Sequence, residues 1–217
     1  MIQITNIIEV EKEKLKQIKS KILTKRITIL ISASDFRELF LIQVNKIIAE
    51  RNINREFEVT EQNSEVINQL YYYSLNSDNF KGNLEKGIIL VGKNGVGKTI
   101  ILKAYFNIIE LLTIKRITQM HSKKLAIDIN ENGLDYYERR PLFIDDIGKE
   151  SKEMVKYGTR ILPFPDLIAL RYDNGSITFG TCNYKLETLI DFYGLTTVDR
   201  MKEMFNIIIL EGMSFRK

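Results

Sequence analysis

Residues 87–99 read "GIILVGKNGVGKT". The opening "GIILV" is an unbroken apolar run of strand length, as expected for a strand buried on both faces of a parallel sheet. The residues that follow, "KTIILKAYFNIIELL" at 98–112, repeat apolar positions at helical spacing. Between them, Gly92, Gly95, Gly97, Lys98 and Thr99 satisfy G-x-x-x-x-G-K-[ST]. The glycines let the backbone wrap closely, so that its N–H groups face phosphate oxygens. The following helix aims its positive end at the same place. The candidate nucleotide-binding stretch is therefore Gly92, Lys93, Asn94, Gly95, Val96, Gly97, Lys98, Thr99 and Ile100. Lys98 is expected to reach the β- and γ-phosphates, and the Thr99 hydroxyl to bind Mg²⁺.

On either side of this loop the pattern differs. From residue 87 onward short apolar runs alternate with helical stretches: "GIILVG", "KRITQM", "PLFIDD", "SITFGTCN" and "NIIIL" read as strands. Such alternation predicts an α/β P-loop NTPase fold, a five-stranded parallel sheet flanked by helices. "SKKLAIDINENGLDYY" reads as a helix broken at Asn132-Gly133. "SKEMVKYGTRILPFPDLIALRY" reads as a helix with a proline interruption. Residues 1–60 read as a helical N-terminal region, with Ile8, Leu15, Ile18 and Ile22 on one face of a lysine-rich helix. A second helix follows with Phe36, Phe40, Val44, Ile47 and Ile48 on one face, capped by Ser34 or Asp35. "RNINREFEV" reads as a loop running into a short extended piece, and "SEVINQLYYY" as a third helix. The expected division is 1–60, a partner-binding region, and 61–217, the nucleotide-binding domain.

Composition bounds the chemistry. The 217 residues are 44% hydrophobic and 28% charged, with net charge +4, a globular profile. No apolar run approaches the ~20 residues that span a bilayer, and the N-terminus lacks the pattern of a secretory signal. One cysteine, Cys182, and one histidine, His121, leave no internal disulfide, no Cys- or His-rich metal site and no Ser-His triad. A cytoplasmic location and no membrane partner are expected. His121 is expected on the surface. The tyrosines at 71–73 either stack on a base or, more commonly, pack a helix against the sheet. Lys12 through Lys25, and Arg139 with Arg140, are candidate contacts for nucleic acid or a partner, the solvated helix face being the commoner reading of the lysines.

Three further motifs carry chemistry. In "PLFIDDIG", Asp145 and Asp146 end an apolar strand, so that one carboxylate can hold Mg²⁺ and the other can orient or deprotonate the attacking water. Asp145 to Gly148 also spells the D-x-x-G of GTPases, but "NYKLE" lacks their base-reading Asn-Lys-x-Asp. Asn183 ends "SITFGTCN", where it faces the γ-phosphate, caps the next helix, or does both. In the tail "YGLTTVDRMKEMFNIIILEGMSFRK", Arg200 and Arg216 are either ordinary surface residues or transition-state arginines, one of them supplied across a subunit boundary.

The ordered set "GIILVGKNGVGKT", "LFIDDIG", "TCN", "YG…VDRM" and "GMSFR" resembles the AAA+ ATPases of the DnaC/IstB type, helicase loaders and transposition helper ATPases. The resemblance covers roughly residues 60–217. It implies an ATPase using ATP and Mg²⁺, with Lys98 and Thr99 in Walker A, Asp145 and Asp146 in Walker B, and Asn183 as sensor 1. Arg200 looks like the finger acting on a neighbour's ATP, and Arg216 like the sensor 2 arginine of its own site. An AAA+ core without a C-terminal helical lid is expected. The implied partners are a replicative helicase or a transposase, single-stranded DNA, and further copies of the chain in a ring or spiral. Thr196 stands where the family often has Arg, Asp146 where many ATPases have Glu, and the first 60 residues match no loader module. A small-molecule kinase would need an arginine-bearing lid that the sequence does not display. An ATP-binding scaffold with little turnover stays open.

Overall fold

The computed structural model describes residues 8–17, 28–156, 158–212, 214 and 215. Helix α1 covers residues 8–17, all exposed. It is followed by α2 (Ala33–Glu50), α3 (Glu61–Ser74), β1 (Gly87–Val91), α4 (Lys98–Leu112), β2 (Thr118–His121), α5 (Ser122–Asn132) and β3 (Leu142–Ile147). The second half contributes β4 (Met154–Lys156), β5 (Thr159–Ile161), α6 (Pro163–Asp173), β6 (Thr178–Cys182), α7 (Ile190–Tyr193), α8 (Leu195–Met204) and β7 (Phe205–Ile209). The five long strands form one parallel sheet in the order β2-β3-β6-β1-β7, and β4 with β5 forms a separate antiparallel hairpin.

β1 is buried along its whole length because it is covered on both faces. Successive side chains of a strand point to opposite sides. Ile88 and Leu90 accordingly join Phe143 and Phe179 beneath α2, α3 and α4, while Ile89 and Val91 join Ile144 and Cys182 beneath α5, α6 and α8. On the first face Phe106 of α4 packs between Phe143 and Phe179, with ring centroids 5.1 and 5.0 Å away. The core crosses residue 60: Phe36, Phe40 and Val44 of α2 belong to the same cluster as Leu70 of α3 and Ile101 of α4. The tyrosines of α3 pack rather than present a stacking surface. Tyr73 lies edge-on to Phe179 and donates to the Lys86 carbonyl, and Tyr71 donates to the Ile31 carbonyl.

Local signals explain the element ends. α2 is capped by Ser32, which accepts from the Asp35 amide, so the cap lies two residues before Ser34; Asp35 sits instead in the first turn. α3 carries a reciprocal capping box between Thr60 and Asn63. Residues 51–60 form no strand; the Phe57 amide donates to the Asn45 side chain instead. Met154–Lys156 and Thr159–Ile161, expected to be helical, are instead the paired strands β4 and β5. Gly158 turns with φ +79°, and Pro163 is the first residue of α6 rather than a break inside it. Of the first lysine-rich face, Ile18 and Ile22 lie outside the described residues.

In open α/β sheets ligands bind beyond the carboxyl ends of the strands. The loop after β1, the Asp145-Asp146 pair ending β3 and Asn183 after β6 all emerge at that edge, on three adjacent strands. Arg139 and Arg140 precede β3 and belong to the opposite edge.

Candidate functional site: the carboxyl edge of β1, β6 and β3

The phosphate loop is held from behind. The Gly92 amide donates to the Cys182 carbonyl, and a Cβ on Gly92 would lie 2.1 Å from the Leu210 carbonyl oxygen. Gly95 and Gly97 have φ of +87° and +95°, where other side chains are strained. Gly97 caps α4 without a side-chain hydrogen bond, which leaves the first amides of the helix available to an anion. Val96 is buried and Asn94 exposed, so the loop is pinned at its middle and open at its rim. Ile100 is half-buried against the first core. Lys98 is 5% exposed, and its ammonium donates to the carbonyls of Gly92 (2.7 Å) and Lys93 (2.8 Å) and to Asn183 Oδ1 (2.8 Å).

The structure brings the two aspartates of β3 into different company. The Thr99 hydroxyl donates to Asp145 Oδ1 at 2.6 Å, and the Thr181 hydroxyl donates to the same oxygen at 2.7 Å. Thr181 in turn accepts the Asp146 amide (2.8 Å). The β3–β6 register shifts between Ile144 and Ile147, and Asp146 has φ +58°. A bulge of this kind re-aims side chains beside active sites, and here Asp145 meets Thr99 while Asp146 meets Asn183 and His121. Asp146 Oδ1 accepts from Asn183 Nδ2 at 3.0 Å. Asn183 therefore bridges Lys98 and Asp146; the 3-10 turn that follows, Leu186–Leu189, has Lys185 at its cap position, with no side-chain cap bond.

His121, expected on the surface, is half-exposed and lies beside this aspartate pair. Parallel pairing sets it opposite Asp145. Its Nδ1 accepts the Lys123 amide and caps α5, which assigns the proton to Nε2. That Nε2 lies 3.6 Å from Asp146 Oδ2. Ser122 donates to the Asp146 carbonyl at 2.8 Å. Neither residue belongs to a local motif. The signal available beforehand was positional: a polar residue ending the strand that pairs with β3.

A cleft of about 450 Å³ adjoins the loop, lined by Arg55, Thr60, Asn63, Val96, Leu210 and Phe215 among others. The tail closes it. The Phe215 amide donates to the Gly95 carbonyl (2.9 Å), its ring lies 6.0 Å from that of Phe57, and the Arg55 guanidinium sits 5.9 Å over it. Arg216 lies outside the described residues. Arg200 is on α8 with its guanidinium 5.6 Å over the Tyr172 ring of α6, and Tyr172 is bonded to Glu203. The structure does not bring it to the Lys98–Asp146 cluster of its own chain.

No protein-family model matches the chain, and no curated protein matches its sequence. Solved structures do match its fold. The DnaC helicase loader is similar with 21% identity over 73% of this chain and 95% of that one, at a TM-score of 0.55. DnaI has 19% identity over 83% and 93%, at 0.54. The replication initiator DnaA, bound to AMPPCP and single-stranded DNA, has 19% identity over 72% of this chain and 49% of its own, at 0.53. The chain thus has the fold of the DnaC-type ATPases of the AAA+ class.

Proposed function

We propose that the chain binds and hydrolyses Mg-ATP and uses the cycle to act on a replicative helicase as a DnaC-like loader. The observation that carries the ATPase reading is the convergence of Lys98, Thr99 with Asp145, and Asp146 with Asn183 at one edge of the sheet. The loop amides and Lys98 would hold the phosphates. Thr99 and Asp145 offer hard oxygen donors suited to Mg²⁺, which usually keeps several waters and relies on one or two carboxylates plus substrate phosphates. Mg²⁺ held there would supply positive charge that offsets the phosphate charge. Asp146, steadied by Asn183, would accept the proton of the attacking water, and Asn183 would direct that water toward the γ-phosphate. The cleft beside Val96 is the compartment for base and ribose. Arg200 would serve the site of a neighbouring copy, and Arg216 its own.

The loader reading is preferred to a transposition helper because similar folds belong to the DnaC helicase loader and to DnaA bound to single-stranded DNA. Residues 1–60 are the part proposed to select the partner, with single-stranded DNA and further copies of the chain as companions. Among the described residues no helix is long and apolar enough to cross a membrane, and action in the cytoplasm is part of the proposal. The expected outcome for Lys98→Ala is loss of ATP binding in a titration with a fluorescent analogue; wild-type affinity in that variant would sink the site assignment. Turnover measured with and without single-stranded DNA separates a motor from an ATP-binding scaffold.

A further inference from the structure

Glu150 is not part of the phosphate site described above, yet it is 5% exposed three residues beyond the end of β3. Burying a carboxylate is costly unless hydrogen bonds hold it. Its Oε2 accepts the Gly148 amide at 3.1 Å and its Oε1 accepts the Tyr193 hydroxyl. The Ser122 hydroxyl, whose proton goes to the Asp146 carbonyl, lies close enough to influence the carboxyl. Burial pushes the carboxyl above the ordinary carboxylate range, while the amides of Gly148, Lys149 and Glu150 itself, together with Ser122, pull it back.

Each of these donors leads somewhere. Ser122 also holds the Asp146 carbonyl. Gly148 (φ +94°) lies in the turn that starts at Asp146, and the Lys149 amide closes that turn on the Asp146 carbonyl at 3.2 Å. Tyr193 ends α7, stacks on Phe164 of α6 at 4.5 Å, and is separated by Gly194 alone from α8, which carries Arg200. One buried carboxylate thus touches the backbone behind Asp146 on one side and the approach to α8 on the other. An apolar side chain would fill the space at lower cost, so the two hydrogen-bonding termini call for a role beyond packing.

We propose that Glu150 is a positioning residue for phosphate cleavage, fastening the Asp146 turn to Tyr193 so that the water-handling carboxylate and the helix of Arg200 keep one relative setting. The proposal rests on the ATPase reading above. Steady-state ATPase kinetics on the full chain, paired with nucleotide titration, test it. Glu150→Ala lowers kcat about 10- to 100-fold, the scale of a small misplacement at a reacting centre, and leaves ATP affinity within about threefold. Glu150→Gln, whose amide oxygen can still accept from the Gly148 amide while its NH2 group donates to the Tyr193 hydroxyl oxygen, recovers most of the loss, and Tyr193→Phe reproduces part of it. In an Asp146→Asn background Glu150→Ala costs nothing further, because it acts through Asp146.

Wild-type kcat in Glu150→Ala overturns the proposal. So does a parallel fall in kcat and affinity that Gln fails to rescue, which marks a purely structural role. If Glu150→Ala does not fold, full activity in Tyr193→Phe overturns it. The two readings fail differently. A wild-type chain that binds ATP without turning it over defeats the ATPase reading and this proposal together. Turnover in the wild type that Lys98→Ala abolishes upholds the ATPase reading and leaves Glu150 to be judged alone.

Discussion

At the scale of the residue, Asp146 occupies a conformation that favours glycine, φ +58°, and four groups hold it there: the Thr181 hydroxyl on its amide, Ser122 on its carbonyl, Asn183 on one carboxylate oxygen and His121 facing the other. Strain of this kind costs on the order of 1–3 kcal/mol and persists where surroundings over-determine it. The side chain, not the backbone, is then the part available for chemistry. Asp146→Asn retains the shape and the hydrogen bonds but cannot take a proton. Its expected behaviour is near-normal ATP binding with kcat lower by about 10²- to 10⁴-fold, read from single-turnover hydrolysis beside equilibrium titration. The same variant, held in ATP, should retain the partner that wild type releases, and mass spectrometry of what co-purifies identifies it. Lys98, Thr99, Asp145 and Asp146 were legible in the sequence because their chemistry depends on spacing along a few residues. His121, Ser122 and Glu150 were not. Their place beside Asp146 depends on β2 and β6 lying either side of β3 and on the bulge in β3, and neither is written in local spacing.

At the scale of the element, β1 is wedged between β6 and β7, and its first residue shows how tightly. A Cβ on Gly87 would lie 1.7 Å from the Thr178 carbonyl oxygen, which is backbone and cannot swing aside. Gly87→Ala is therefore expected to destabilise the fold by at least the roughly 1–3 kcal/mol typical of overpacking, measured as a lower urea midpoint with unchanged slope. β1 and α4 were readable because a continuous apolar run and a long helical period are strong signals. The β4–β5 hairpin was not. Strands of three residues are too short to display a period of two, and the apolar positions around them also fit a helix. Pro163 then read as an interruption of a helix that in fact begins with it. The cap of α2 failed on a smaller ambiguity: Ser32, Ser34 and Asp35 are all capping residues, and backbone geometry chooses among them.

At the scale of the whole molecule, the first core includes helices from both sides of residue 60, so α2 and the five-stranded sheet form one packed body. Arg200 packs over the Tyr172 ring of α6 rather than bonding to Lys98, Asp146 or Asn183. If it serves a neighbour, turnover per subunit rises with protein concentration, and Arg200→Ala removes that rise while ATP affinity in dilute solution stays unchanged. Equal concentration dependence in the variant refutes the shared site. The sheet order has one more consequence. Both neighbours of β1 come from late in the chain, β6 at 178–182 and β7 at 205–209. On a ribosome adding about 5–20 residues per second, the glycine loop leaves the tunnel on the order of ten seconds before the strands that frame it. During that interval Ile88, Ile89, Leu90 and Val91 are an unshielded apolar segment, and no nucleotide can be gripped. Any grip on a nucleotide thus has to wait until β6 and β7 have been made and paired with β1.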